Sequence, residues 1–131
     1  YSLALRLTDN YHNELINDLI PAVEGKYSTY AEDTTPEAIA ASRDYRAFCG
    51  FSMGSMATWR TFEHSLDYFC YFMPSSGGPA ASTETYESVI KNSGYEWDDF
   101  FIFAASGTND FAYSGYYAML YFYNGLCWIW R

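Results

Sequence analysis

The sequence predicts an α/β chain built on a parallel sheet, and two observations carry that prediction. Three apolar runs, "RAFCGF" at residues 46–51, "YFCYFMPSS" at 68–76 and "DDFFIFAASG" at 98–107, are continuous rather than alternating. Helix-like runs separate them, "MGSMATWRTFEHSLDYF" at 53–69 and "STETYESVIKNSG" at 82–94. Continuous apolar strands joined through helices suit a parallel sheet covered on both faces, with right-handed crossovers.

The elements follow in order. Residues 9–26 place Tyr11, Leu15, Ile16, Leu19, Ile20 and Val23 on one face at helical spacing, after a Thr8/Asp9 capping signal. Pro21 removes the amide that would bond the Asn17 carbonyl, so a kink or irregular turn is expected there. The stretch 27–45 reads as a loop with one short helix, capped by Thr35 with Pro36 at its first position. The second strand is expected to stop at Pro74 and the Gly77-Gly78 turn. The run at 82–94 has a Ser/Thr start, an apolar stripe and a glycine stop. The last sixteen residues, "YYAMLYFYNGLCWIWR", break the pattern, and Asn124-Gly125 between two apolar runs signals a tight hairpin.

Composition narrows the function. A chain of 131 residues, half of them apolar, is one domain's worth and can bury a core. With a net charge of -9 and seven scattered Lys and Arg, neither nucleic acid nor an anionic membrane surface is an expected partner. No apolar run reaches the roughly 18 residues of a spanning helix, and no signal-peptide pattern opens the chain. It starts at Tyr1 rather than Met, which suggests an excised piece. Cys49, Cys70 and Cys127 are too few and too irregular for a disulfide framework or a zinc site, so no metal is expected. Cys49 and Cys70 read as small buried hydrophobes. Fourteen Tyr, ten Phe and four Trp supply core, and any that are exposed suit flat rings or sugars.

The stretch "CGFSMG" at 49–54 carries the candidate chemistry. Gly50, Ser52 and Gly54 satisfy G-x-S-x-G, which has mechanical content when a strand feeds it and a helix leaves it, as here. The turn forces Ser52 into strained backbone geometry, and side chains at either flanking glycine are expected to collide with neighbouring backbone. The next helix aims its first amides at the site, so the Met53 N–H can donate to a developing oxyanion. In this order of elements the acid follows the serine, on a loop at the carboxyl end of a later strand, which selects Asp110. Taken alone, Asp110 reads as an Asx-turn residue. The base is missing from this pattern. His64 lies about 18 Å along the helix from the elbow, a surface helix residue, and His12 falls on the polar side of the first helix.

The residues "NELINDLIPAVEGKYSTYAEDTTPEAIAASRDYRAFCGFSMGSMATW", with "LDYFCYFMPSSG" and "FIFAASGTNDFAY", resemble the feruloyl esterase domains of bacterial xylanases. Those are esterase-D-like carbohydrate esterases of the α/β-hydrolase superfamily. The resemblance spans residues 9–113, with the kinked helix, elbow, strand end and acid loop in family order. It implies a partial α/β-hydrolase, a parallel sheet core with flanking helices. It further implies a secreted enzyme, without cofactor, that cleaves hydroxycinnamoyl or acetyl esters of plant cell-wall xylan. By position Ser52 is then the nucleophile, Asp110 the triad acid and the Met53 amide one oxyanion donor, acting through an acyl-enzyme. Ser55 stands where relatives often have glycine. The family's histidine lies beyond the acid, and the tail here has none. The N-terminal strands and the loop with the second oxyanion donor are also absent, so the chain reads as one incomplete esterase domain, 1–131, with a divergent aromatic tail, 116–131.

Two further readings stay open. A non-catalytic carbohydrate-binding module would stack its aromatics on sugars and keep its affinity after Ser52→Ala. A fragment without function would expose sheet edges that missing strands cover, and would aggregate. The acyl group and oligomeric state are not encoded in any motif, although an exposed aromatic tail favours self-association.

Overall fold

A computed structural model describes residues 2–79 and 81–113. The tail 116–131, its Asn124-Gly125 hairpin and Cys127 lie outside the described residues.

The first helix begins earlier than the Thr8/Asp9 signal predicts. Helix α1 runs Ser2–Glu14, a π-helical turn follows at Leu15–Leu19, and α2 covers Ile20–Glu24. The π turn bonds the Ile20 amide to the Leu15 carbonyl and sits immediately before Pro21, where the missing amide forbids a regular turn. Its extra residue changes the phase of the helix. Tyr11 packs on Phe48, Leu15 and Ile20 are buried, and the Glu24 side chain is 8% exposed, giving a line at 11, 15, 20 and 24. Leu19 and Val23, expected on that face, are rotated out and exposed.

Helix α3, Pro36–Ala41, starts as the sequence predicts: the Thr35 hydroxyl accepts from the Ala38 amide and Pro36 takes the first turn. A 3₁₀ turn at Arg43–Tyr45 leads into β1, Ala47–Phe51. Helix α4 covers Met53–His64 and stops short of the expected end, its cap residue Ser65 leaving helical geometry. Strand β2, Tyr71–Ser75, passes through Pro74 rather than stopping there. Helix α5, Thr83–Ser93, has the Ser82 hydroxyl accepting from Thr85 N–H and Gly94 in the left-handed region, φ 80°.

The three strands form a parallel sheet in the order β1-β2-β3. Strand β3 is only Phe101–Ile102, shorter than its apolar run. Pro74 explains this. Even-numbered β2 residues face β3, their carbonyls at Phe72 and Pro74 accepting from Phe103 and Ala105. Proline has no amide to return, so the ladder lapses and resumes only as the single Ser75↔Ala105 bridge.

All the helices lie on one face. Trp59 and Phe62 of α4, Tyr86 and Ile90 of α5 and Leu15 share a single buried cluster with Phe72, Phe100 and Ile102. Phe62 is fully buried and meets Phe72, Phe100 and Tyr86 at 5.1–5.8 Å between ring centres. The expected second layer is not found among the described residues. Phe51, Tyr71, Met73, Phe101 and Phe103 stand exposed on the other face, and Cys49, expected to be buried, is exposed with them.

Two arginines, Arg43 buried and Arg46 partly buried, tie the helices to the sheet. Arg43 donates to the Leu66 and Phe69 carbonyls and stacks on Tyr95, 4.2 Å from the ring centre. Arg46 bonds the Ile39 and Tyr68 carbonyls, the Ser42 hydroxyl and Glu24 at 2.7 Å. Burial works to raise the Glu24 pKa, but the Thr29 hydroxyl and the Arg46 guanidinium outweigh it and the carboxyl lies below its ordinary value.

Candidate active site

Ser52 joins β1 to α4 and holds φ 56°, ψ −112°, a backbone state that side chains rarely adopt. Three bonds enforce it. The Ser52 amide donates to the Ser75 carbonyl at 2.9 Å, extending the β1–β2 pairing by one residue. The Ser52 carbonyl then accepts from the Ser55 amide at 3.0 Å, the first turn of α4. The Ser55 hydroxyl, fully buried, donates to the Gly77 carbonyl at 2.6 Å. The Ser52 side chain makes no cap bond with α4 and is exposed at the sheet's carboxyl end, with the dipole of α4 behind it.

The two elbow glycines are not equivalent. A Cβ on Gly50 would lie 2.0 Å from the Gly54 carbonyl oxygen, which forbids any side chain there. A Cβ on Gly54 meets nothing within 4 Å, contrary to the expected collision. The crowding is one-sided because the helix backbone at Gly54 fills the space over Gly50. Gly77, which no motif marked, takes the second role: its Cβ would come within 2.8 Å of Ser55 Cβ and 2.9 Å of the Ser52 carbonyl.

Asp110 stands on the loop after β3. Its amide donates to the Gly107 carbonyl and its Oδ1 accepts from the Ala112 amide at 2.9 Å. That amide, then the Ser76 hydroxyl, hold its carboxyl below the usual range against a small opposing effect of burial. Asp110 thus makes the Asx-turn contact that its position in the loop suggests. Ser76 is itself in the left-handed region, φ 53°, and its amide donates to the Ala105 carbonyl at 2.8 Å. The end of β2 thus reaches both ways, Ser75 to the Ser52 turn and Ser76 to the Asp110 loop. The sequence marked Ser55 only as a departure from its relatives and Gly77 only as a turn residue, and it gave Ser76 no role; the contacts of all three with the serine turn and the Asp110 loop carry no motif.

The histidines are elsewhere. His64 ends α4, roughly 18 Å from Ser52 at the rise of an α-helix. His12 is not the solvated residue its position suggests. Its ring stacks on His64 at 4.3 Å between centres, half-buried, and its Nδ1 has no partner among the described residues. Burial first, then the His12 ring, pushes the His64 pKa down, and Glu63 and Asp9 oppose this. A depression of about 660 Å³ lies beside His64, lined by Glu63, Asp67, Glu84 and Asn92 among others, and none of Ser52, Met53 or Asp110 lines it. Among the described residues no group of His, Cys, Asp or Glu is arranged to hold a metal ion, and no helix is long and apolar enough to cross a membrane.

A strand, a strained serine turn and a helix at the carboxyl end of a parallel sheet define part of an α/β-hydrolase-type fold. Comparison with known proteins refines this. The chain is 45% identical over 111 residues to endo-1,4-beta-xylanase Y of Acetivibrio thermocellus, a match covering 80% of this chain and 10% of that one. It superposes on the structure of FAE with a TM-score of 0.80 at 43% identity. It superposes equally on a serine-to-alanine mutant of the feruloyl esterase module from Clostridium thermocellum complexed with sinapinate, TM-score 0.80 at 42% identity. Each superposition covers 86% of this chain and 43% of the other, so the chain spans less than half of these structures. No protein-family model matches it. Over the matched residues the chain is similar in sequence and fold to part of a feruloyl esterase module.

Proposed function

We propose that this chain is the elbow-bearing part of a secreted serine carboxylic-ester hydrolase, a single domain over residues 1–131 acting on feruloyl or acetyl esters of plant cell-wall xylan. Ser52 Oγ attacks the acyl carbon, and the Met53 amide donates to the resulting oxyanion. The base takes the Ser52 hydroxyl proton and returns it to the sugar oxygen as collapse breaks the ester C–O bond, leaving an acyl-serine, which water hydrolyses to the free acid and the free serine hydroxyl. Asp110 orients the base, which is not among the described residues, since His12 and His64 stand at the far end of α4. No cofactor takes part.

The observation that carries this reading is the strained backbone of an exposed Ser52 at the head of α4. The serine-to-alanine module complexed with sinapinate supports the substrate class. The test is hydrolysis of methyl ferulate and 4-nitrophenyl acetate by this chain and by Ser52→Ala. A rate lost in the variant supports a nucleophilic Ser52; a measurable rate that is equal in the two would sink it, and no rate in either leaves an intact elbow without its base.

One observation favours the second reading, carbohydrate binding without catalysis. Tyr30 and Tyr45 stack at 3.9 Å with rings nearly parallel while remaining 72% and 66% exposed. Affinity for xylan that survives Ser52→Ala and disappears in Tyr30→Ala would select it.

A further inference from the structure

Helix α1 is held on the molecule without a core of its own, since none of its described side chains is buried. Asp9 pairs with Arg60 of α4 at 2.7 Å, and Tyr11 meets Phe48 of β1 edge-on at 6.3 Å. Between them, His12 stacks on His64 at 4.3 Å with the ring planes 24° apart. His12 Nδ1 is enclosed and has no partner among the described residues, so this contact is ring on ring rather than a hydrogen bond. Helix α4 is fixed to the sheet by buried Trp59 and Phe62. Helix α1 instead runs directly into the π turn at Leu15–Leu19, the kind of irregular turn at which helices bend.

We infer that α1 is an acid-released latch: the stacked rings of His12 and His64 hold it on α4 while at least one is neutral, and it swings off about the Leu15–Leu19 turn when both carry a proton. Two imidazolium rings 4.3 Å apart and partly shielded from water repel at close range, whereas a neutral ring stacks on either form. The charged groups facing the pair are Asp9 from α1 and Arg60 and Glu63 from α4, with Asp67 and Glu84 of α5 lining the depression beside His64. Glu63 favours charge on His64, but it is committed to Arg60 at 2.6 Å and stands 3.9 Å from His64 Nε2, too far for a hydrogen bond. Burial first, then the His12 ring, keeps the His64 pKa below its ordinary value of about 6.5. The docked helix is therefore favoured above that value and loses ground as the pH falls through it. The latch is a property of α1 and α4 and stands apart from the ester chemistry of Ser52.

The experiment is amide hydrogen exchange of the full 131-residue chain at pH 7.5 and 5.5, corrected for the intrinsic dependence of exchange on pH. Protection of the α1 amides is expected to fall about tenfold or more at the lower pH while that of α5, Thr83–Ser93, holds. His64→Phe keeps a flat ring against His12 that takes no proton, and is expected to abolish the fall. His12→Phe does the same from the other side and serves if the first variant does not fold. Equal losses in α1 and α5 would mean general unfolding and overturn the latch, as would α1 protection that is unchanged at pH 5.5 or that still falls in the phenylalanine variants. Exchange does not read hydrolysis, so the result is independent of whether Ser52 is a nucleophile.

Discussion

Ser55 and Gly77, distant in sequence, are joined by a 2.6 Å hydrogen bond from a fully buried hydroxyl to a backbone carbonyl. This bond fixes the first turn of α4 against the loop after β2, and so fixes the carbonyl and amide of the serine turn. Ser55→Ala leaves that carbonyl buried without its donor, and is expected to cost about 1–3 kcal/mol. Ser55→Gly loses the same bond and adds helix-propensity cost. Urea unfolding of both variants checks this. Wild-type midpoints would refute it.

The elbow glycines give opposite outcomes. Gly50→Ala drives a methyl group into the Gly54 backbone, and the chain is expected to lose at least ~3 kcal/mol or fail to fold. Gly54→Ala enters open space inside a helix and is expected to be neutral or to stabilise by up to ~1 kcal/mol. Circular dichroism melts of the pair decide it; comparable losses would show that the motif's symmetry, not the observed contact, governs the turn.

Strain at Ser52 predicts a trade between stability and chemistry. Ser52→Gly removes the positive-φ penalty and is expected to raise stability by about 1 kcal/mol, while Ser52→Ala keeps the penalty. Both lose the hydroxyl and, with it, any hydrolysis of methyl ferulate. A glycine variant no more stable than the alanine one would remove the argument for strain.

The fold and the candidate site were legible to different depths. Continuous apolar runs sufficed for the parallel order, and Gly94, Ser82 and Thr35 marked their helix ends because caps are local chemistry. The phase of the first helix was legible only in part: Pro21 announced an irregular turn, but not that the turn is π-helical and inserts one residue. The bare sheet face was hidden too, since an apolar run reads the same whether its second side is covered or open. Ser52 and its turn were visible as a motif, but Ser76 and Gly77 act through contacts with distant residues, which no spacing records.

The stacked histidines predict acid sensitivity. The folded state holds His64 below its ordinary pKa, so near pH 6 the unfolded chain binds more protons than the folded one. Stability is therefore expected to be full above the unfolded value of about 6.5 and to decline as pH falls through it. The groups facing the pair are Asp9 on α1 and Arg60 and Glu63 on α4, with Asp67 and Glu84 lining the adjoining depression. Melting His64→Gln at pH 7.5 and 5.5 should show a smaller difference than the parent chain does. An unchanged difference would assign the sensitivity to other groups.

Arg46 is expected to be the costliest polar side chain to remove. Arg46→Ala strands Glu24 and the Ile39 and Tyr68 carbonyls together, at about 3–5 kcal/mol, and Arg46→Lys recovers only part because one ammonium cannot reach four acceptors. Denaturant midpoints of the two variants test the order; a lysine variant equal to the parent would contradict it.

The gap that Pro74 leaves in the β2–β3 ladder divides the candidate site into two units of unequal cooperativity. The Ser52 turn hangs from five consecutive β1–β2 register pairs, whereas the loop bearing Asp110 follows a two-residue pairing and one isolated bridge. Local opening follows the weaker ladder. Amide exchange at Phe103 and Ala105 is accordingly expected to outpace that at Ser52, so that the acid's loop opens and recloses while the serine turn stays folded.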